Sequence, residues 1–273
     1  MYSRRFFATS AAVLLAAVSA FAGAARAQEQ QPQPRAHQLA PAEVERIVRT
    51  FTAKETQFRQ ALNQYRFKRD AVVQTLGMGG QVTGEYHRVS NFTFDDQSNR
   101  FERITFFPAP TLTEISVTPE DIEDLGGIQP FALEASKIGL YNFNYAGKEK
   151  IDEVDTYVFD VAPKSIPKKV SERFFQGRVW VDDQDLQIVK VRGKGVPEGE
   201  QRFPTFETYR EQIDGKFWFP TYTAADDELV FKSGQVVRVR MRVRYTDYKR
   251  FAGTSKILDE GDIVEEPKEK KKP

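Results

Sequence analysis

Residues 235–248 read QVVRVRMRVRYTDY, and the centre of this stretch alternates without a break between apolar residues and arginine. Successive side chains of an extended strand point to opposite faces, so a period of two predicts a β-strand with one apolar face. That face carries Val237, Val239, Met241, Val243 and Tyr245, and the other carries Arg238, Arg240, Arg242 and Arg244. A strand with one apolar and one charged face is typical of an antiparallel sheet.

The same period of two runs through most of the chain after Tyr65. Turn sequences such as Asp214-Gly215 and Ser233-Gly234 separate neighbouring segments, which favours hairpins. About eleven strands are predicted, too many for a flat open sheet, so the sheet is expected to curl toward a barrel. Their predicted ranges are 66–75, 81–94, 100–107, 139–147, 154–162, 173–181, 186–194, 205–213, 216–223, 228–232 and 235–248.

Two segments show helical signals instead. Residues 41–63 begin with proline, carry early glutamates, and repeat apolar residues at helical spacing, which predicts an amphipathic helix that packs against the sheet. Residues 118–123, TPEDIE, combine a capping threonine with a proline and early acids, which predicts a short second helix. The expected fold class is therefore mainly β (α+β).

Residues 1–27 have the pattern of a signal peptide. Arg4 and Arg5 precede an apolar run of about 15 residues, shorter than the ~20 that a membrane-spanning helix needs. An Ala-x-Ala cleavage pattern ends at Ala27. We expect export by the Sec route, with the twin-arginine (Tat) route as an alternative because of the paired arginines, and a soluble periplasmic product without a transmembrane segment.

The remaining domain boundaries follow from composition. Residues 28–40 are rich in Gln and Pro and are predicted to be a disordered linker. Residues 41–258 are predicted to form a single β-rich domain, because no linker divides the strands. Residues 259–273 end in a run of charged residues that predicts a disordered tail.

Charge and composition exclude several classes of protein. The chain has 40 Lys and Arg against 39 Asp and Glu, so it lacks the cationic excess of a nucleic-acid-binding protein. It has no cysteine, which excludes disulfides, thiolate metal sites and a lipid anchor on cysteine. With two histidines in total, neither a metal nor another cofactor is expected.

Signals for catalysis are weak. The carboxylates of Asp182, Asp183 and Asp185 are of the type that binds calcium, but they lie in a predicted tight turn that favours Asp in any case. The glycine-rich stretch 77–80 lacks the Lys-Ser/Thr and the helix of a phosphate-binding loop. We expect no enzymatic activity, and a periplasmic hydrolase is the least favoured alternative.

The arginine strip, defined as Arg238, Arg240, Arg242 and Arg244, has two interpretations. Acids on neighbouring strands, such as Glu207, Glu211 or Asp227, could pair with it and form a solvated ladder. Alternatively, an exposed basic strip could contact anionic lipid headgroups or an acidic partner surface.

Aromatic residues are abundant on the central strands and occupy both faces. A strand that is apolar on both faces is covered on both, either by a helix of the core or by a ligand. The candidate lining of an apolar ligand cavity is therefore aromatic: Tyr141, Phe143, Tyr145, Tyr157, Phe159, Phe174 and Trp180. Packing in the core remains the alternative for each of them.

The stretch 143–194 resembles the bacterial outer-membrane lipoprotein-sorting protein family, relatives of the periplasmic lipoprotein carrier LolA. The matching elements are Tyr145-x-Gly147-x-Glu149-x-Ile151-Asp152, Thr156-Tyr157-Val158, Val161-x-Pro163-Lys164, Phe175-x-Gly177-Arg178-Val179-Trp180-Val181-Asp182 and Ile188-Val189-x-Val191. The resemblance implies a strongly curved, incomplete antiparallel barrel with helices on its concave side. It also implies a cavity that shelters acyl chains or an apolar segment of a partner.

We therefore expect a non-enzymatic periplasmic protein that binds lipid or lipoprotein acyl chains and takes part in outer-membrane lipoprotein sorting or transport. The alternative from another class is an envelope sensor or adaptor that binds a protein partner, in the inner or outer membrane, through the same fold. The sequence indicates neither the cargo nor the oligomeric state.

Overall fold

A computed structural model describes residues 38–95, 97, 99–117, 121, 132–166, 173–198 and 202–251. The predicted signal peptide, most of the predicted linker and the predicted tail lie outside these residues. So does the predicted second helix, apart from Asp121. These segments, and the domain boundaries drawn from them, stay predictions.

The described chain contains one long helix, one short 3-10 helix and ten strands. The long helix α1 spans Pro41–Leu62 and the 3-10 helix spans Ala135–Leu140. The strands are β1 Tyr65–Leu76, β2 Val82–Phe94, β3 Arg100–Phe106, β4 Tyr141–Ile151, β5 Val154–Pro163, β6 Phe174–Asp182, β7 Ile188–Val196, β8 Phe206–Ile213, β9 Phe217–Val230 and β10 Val236–Arg250.

All ten strands belong to one antiparallel sheet, in the order β3-β2-β1-β10-β9-β8-β7-β6-β5-β4. Sequential hairpins account for every pairing except β1 with β10, which joins the first hairpin to the rest of the sheet. Within the described residues β3 and β4 do not pair with each other, so the sheet is an open barrel. The expected fold class, mainly β with an incomplete barrel, is confirmed.

The helix α1 packs on the concave face of this sheet. The ring of Phe51 lies 5.7 Å from Phe143 of β4 and 5.6 Å from Phe159 of β5. The ring of Phe58, two turns further along the helix, lies 5.7 Å from Phe219 of β9. Strands that are far apart in the sheet order therefore contact one helix, because the sheet curves around it.

Two details differ from the prediction. The predicted strands 216–223 and 228–232 are one strand, β9, so the described sheet has ten strands rather than about eleven. The alanines and aspartates at 224–227 have low β-propensity, but their pairing with β10 continues without interruption. In addition, the 3-10 helix occupies the start of the predicted strand 139–147, so that β4 begins at Tyr141.

Candidate functional site on the concave face

A buried ion pair fixes α1 against the sheet. Glu55 of α1 accepts hydrogen bonds from Arg210 of β8, at 2.5 Å and 3.2 Å, and both side chains are only 4% exposed. The guanidinium of Arg210 also lies 4.5 Å from the centre of the Phe58 ring. Two charges removed from water are tolerated only when each satisfies the other, so the pair sets where along the sheet the helix can lie.

Beyond the helix, the concave face holds an apolar cavity of about 310 Å³. Its floor is the inward face of β1, β9 and β10, and its roof is the segment 114–117. Apolar side chains from both sides line it, among them Val73, Leu229, Val239 and Met241 on the strands and Ile115 and Val117 on the roof. Glu114 and Arg202 add polar groups to the lining. Such a lining suits an apolar ligand with a polar end.

The roof is held in place by its connection to β2. The N–H of Thr111 donates to the carbonyl oxygen of Glu85 at 2.9 Å, and the N–H of Glu85 donates to the hydroxyl of Thr111 at 2.9 Å. Gly84 permits this close approach, because a Cβ atom at that position would lie 2.8 Å from the carbonyl oxygen of Thr111. From there the chain crosses the concave face as the roof of the cavity.

A second, more open cleft of about 740 Å³ lies beside the first turns of α1. Its lining includes Val44 and Val48 of the helix, Ile138 of the 3-10 helix, and Tyr141 and Phe143 of β4. Burial raises the pKa of the Tyr141 hydroxyl, whose oxygen accepts a hydrogen bond from the N–H of Phe175 at 3.1 Å. Tyr141 therefore has a structural role at the inner end of this cleft.

The structure distributes the seven predicted cavity aromatics over three places. Tyr141 and Phe159 are buried in the concave core around α1. Four others are partly buried against this core: Phe143, Tyr145, Tyr157 and Phe174. The ring of Phe174 lies 5.7 Å from that of Tyr141. None of the seven lines the 310 Å³ cavity, whereas Tyr141 and Phe143 line the open cleft.

Trp180 lies on the opposite, convex face of the sheet. It forms a small buried cluster there with Val158 and Val189. Its indole N–H donates to Glu149 at 2.8 Å, and the ammonium of Lys190 lies 4.8 Å from the centre of the indole ring system. The indole thus contacts the protein's own side chains and does not line a ligand cavity.

The residues that line the 310 Å³ cavity were not predicted as a site. The sequence signal for the floor is the apolar face of β10, but an apolar strand face does not indicate whether it packs in the core or lines a cavity. The signal for the roof was the pair Ile115 and Val117, but a short apolar alternation of this kind does not specify which surface it covers.

The arginine strip lies on the convex face and pairs with acids of β9. Arg238 contacts Glu228 at 3.3 Å, and Arg240 contacts Asp226 at 3.2 Å. Arg242 is 3.9 Å from the same Asp226 carboxylate. This geometry corresponds to the solvated ladder.

The acids of the ladder differ from those named as examples from the sequence. Asp227 instead accepts a hydrogen bond from the N–H of Thr205, and Glu207 pairs with Lys190 of β7. Glu211 accepts a hydrogen bond from Thr221. The guanidinium of Arg244 lies 5.8 Å from the centre of the Tyr222 ring.

The aspartates at 182–185 form a turn. The Asp182 carboxylate accepts the N–H of Gln184 at 2.6 Å, and its pKa is raised, chiefly by burial. Within the part of the chain that the structure describes, no three His, Asp or Glu side chains are grouped as metal ligands. No helix of that part is long and apolar enough to span a bilayer.

The fold and the site define an open antiparallel barrel with a helix against its concave face and an apolar cavity beside the helix. No family model and no curated protein matches the chain. Among solved structures, a DUF1329 family protein from Desulfovibrio piger is similar, with 14% identity, a TM-score of 0.37, and coverage of 77% of this chain and 94% of that one.

Two other solved structures are similar to the chain. The LolA superfamily protein NE2245 from Nitrosomonas europaea has 14% identity and a TM-score of 0.33, over 78% of this chain and 94% of that one. MucB has 9% identity and a TM-score of 0.25, over 71% of this chain and 93% of that one.

We predict that replacing Glu55 with alanine destabilises the protein by about 3–5 kcal/mol, because Arg210 is then buried without a counterion. The double variant Glu55→Leu with Arg210→Met should recover most of this loss, since no buried charge remains. Urea denaturation measures both.

Glu45→Ala is the matched control for this prediction. Glu45 forms an ion pair with Arg49 on the same helix, but both side chains are exposed, so a loss below about 1 kcal/mol is expected. Equal losses for Glu55→Ala and Glu45→Ala would contradict the role given to the buried pair.

Proposed function

We propose that this chain is a periplasmic protein that binds lipid or lipoprotein acyl chains in the cavity on the concave face of its open barrel. The observation that carries the proposal is the cavity of about 310 Å³ between β1, β9, β10 and the roof segment 114–117. Its volume lies at the lower end of the roughly 300–1,000 Å³ range of small-molecule sites.

The physical case rests on what an acyl chain needs in water. Each methylene that leaves water for an apolar site contributes about 0.8 kcal/mol. The side chains of Leu229, Val239, Met241 and Ile115 supply such surroundings. Glu114 and Arg202 of the lining could contact a polar head group, while the apolar tail would lie against the strands.

The cellular role is inferred from the sequence. The signal-peptide pattern of residues 1–27 supports export to the periplasm, and the absence of cysteine supports a product without a lipid anchor of its own. These properties fit a carrier that moves through the aqueous periplasm, and they fit a role in outer-membrane lipoprotein sorting or transport. Binding and transport require no catalytic group.

We predict that Leu229→Trp weakens binding of a fluorescent fatty acid by roughly tenfold, about 1.4 kcal/mol, because the indole occupies the cavity. Ile115→Trp, which fills the same space from the roof, should act in the same direction. Fluorescence titration of the full chain measures both affinities.

Val230→Trp is the matched control, because Val230 follows Leu229 on β9, is 57% exposed, and does not line the cavity. Circular dichroism verifies that all variants are folded. If the fatty acid binds Leu229→Trp and Val230→Trp with equal affinity, the cavity is not its site.

The second candidate function is a sensor or adaptor that docks an anionic surface on the arginine strip. Arg244 favours it, because this residue is exposed and forms no ion pair among the described residues, although Asp70 lies opposite it on β1. Its guanidinium lies beside the Tyr222 ring. The ion pairs of Arg238, Arg240 and Arg242 with β9 weigh against it, since they already balance much of the charge.

If the strip docks an anionic surface, Arg240→Glu with Arg242→Glu should reduce binding to phosphatidylglycerol vesicles at low salt, where exposed charges are least screened. Vesicle co-sedimentation provides the measurement, with phosphatidylcholine vesicles as the uncharged control. Binding of the double variant at the level of the unmodified protein would exclude the strip as a docking surface.

A further inference from the structure

The edge strand β3 exposes apolar side chains that belong to no site described so far. Phe101, Ile104, Phe106 and the adjacent Phe107 are each 44–49% exposed. They make up four of the ten large apolar residues that are exposed in the described part of the chain. Edge strands of native sheets are normally protected from pairing by charged residues, by proline or by a covering segment. A concentration of exposed apolar side chains at an edge therefore requires an explanation.

The exposed side chains lie on both faces of the strand. Ile104 pairs with Ser90, a fully buried residue of the concave face. Phe101 pairs with Thr93, whose side chain points to the convex face. The ring of Phe106 lies 5.0 Å from His87 on the convex face. The exposed side chains therefore follow the edge of the sheet and are not confined to one of its faces. An added strand would contact both faces at this edge, because its own side chains alternate between them. A partner that docks on one face of the sheet would contact only part of the set.

The opposite edge strand, β4, turns its apolar side chains toward the core. Tyr141 at the start of β4 is buried, and Phe143 and Tyr145 pack against the core around α1. The 3-10 helix, which immediately precedes β4, contacts both this strand and α1. Exposed apolar side chains are thus concentrated at the β3 edge, and no segment of the described residues pairs with the outer side of β3.

Charge indicates what kind of strand fits. Glu102 is held by Arg69 at 3.1 Å and by Arg88 at 2.5 Å, and Arg100 donates to the carbonyl oxygen of Leu62 at 2.9 Å. Arg103 is exposed, and no ion pair of Arg103 is present among the described contacts. The charge that this edge offers to a partner is therefore positive.

We propose that the β3 edge binds an extended acidic segment of a partner protein, with apolar residues at alternate positions, by adding it to the sheet as an eleventh strand. Backbone hydrogen bonds along the edge would supply affinity. The acidic side chains would lie on the convex face beside Arg103, and the apolar residues at alternate positions would cover Ile104 on the concave face. This docking surface is separate from the cavity and does not depend on the cavity binding a lipid.

A second copy of the chain fits this edge less well. In a two-fold antiparallel pairing of β3 with its copy, full overlap of residues 100–106 places Arg103 opposite Arg103. Like charges directly opposite each other on neighbouring strands are destabilising. An acidic segment avoids this repulsion.

The test uses the full chain and two labelled peptides, one with alternating Glu and Val and one in which Lys replaces each Glu. Fluorescence anisotropy should show at least tenfold tighter binding of the Glu peptide, and Arg103→Glu should reverse this preference. Ile104→Lys should weaken binding of the Glu peptide at least tenfold. Amide hydrogen exchange of β3 should slow when the Glu peptide is bound.

Ile166→Lys is the matched control, because Ile166 is 59% exposed and lies outside the sheet edge. The proposal is overturned if neither peptide binds, if both bind equally, or if Ile104→Lys behaves like Ile166→Lys. It is also overturned if sedimentation shows a dimer that Ile104→Lys dissociates, since the edge would then be occupied by a second copy.

Discussion

An open sheet of ten strands has one apolar face that must be covered, and the packing of α1 on that face is the contact on which the rest of the structure depends. Phe51 and Phe58 reach strands from different parts of the sheet. The Glu55–Arg210 pair adds a constraint of position, because a displaced helix would leave two buried charges without partners. The helix therefore has one favourable place on the concave face.

The position of α1 on the concave face determines where the cavity lies. The helix covers aromatic rings of β4, β5 and β9. The roof segment 114–117, and not the helix, covers the part of β1, β9 and β10 that lines the cavity. A thin extended segment fills less space than a helix, so an apolar volume remains beneath it. The concave face thus has a close-packed core beneath α1 and a ligand-sized cavity beneath residues 114–117.

Much of the fold could be predicted because alternation is a local property. The arginine strip and the apolar face of β10 identify each face of that strand directly from the sequence. The site was harder to predict, because a large ring can fill the core as readily as it can line a cavity. Phe159 contacts Phe51 of α1, and Trp180 is covered by Lys190, contacts that depend on the curvature of the sheet and on no local pattern.

The central claim is that the cavity beneath residues 114–117 holds an acyl chain, and native mass spectrometry of the protein purified from envelope extracts tests it most directly. The account predicts a bound species with the mass of a fatty acid, lipid or acylated peptide, present on the unmodified protein and on Val230→Trp and markedly reduced on Leu229→Trp. A protein that carries no bound species, or one whose bound species is equally abundant on Leu229→Trp, would contradict it.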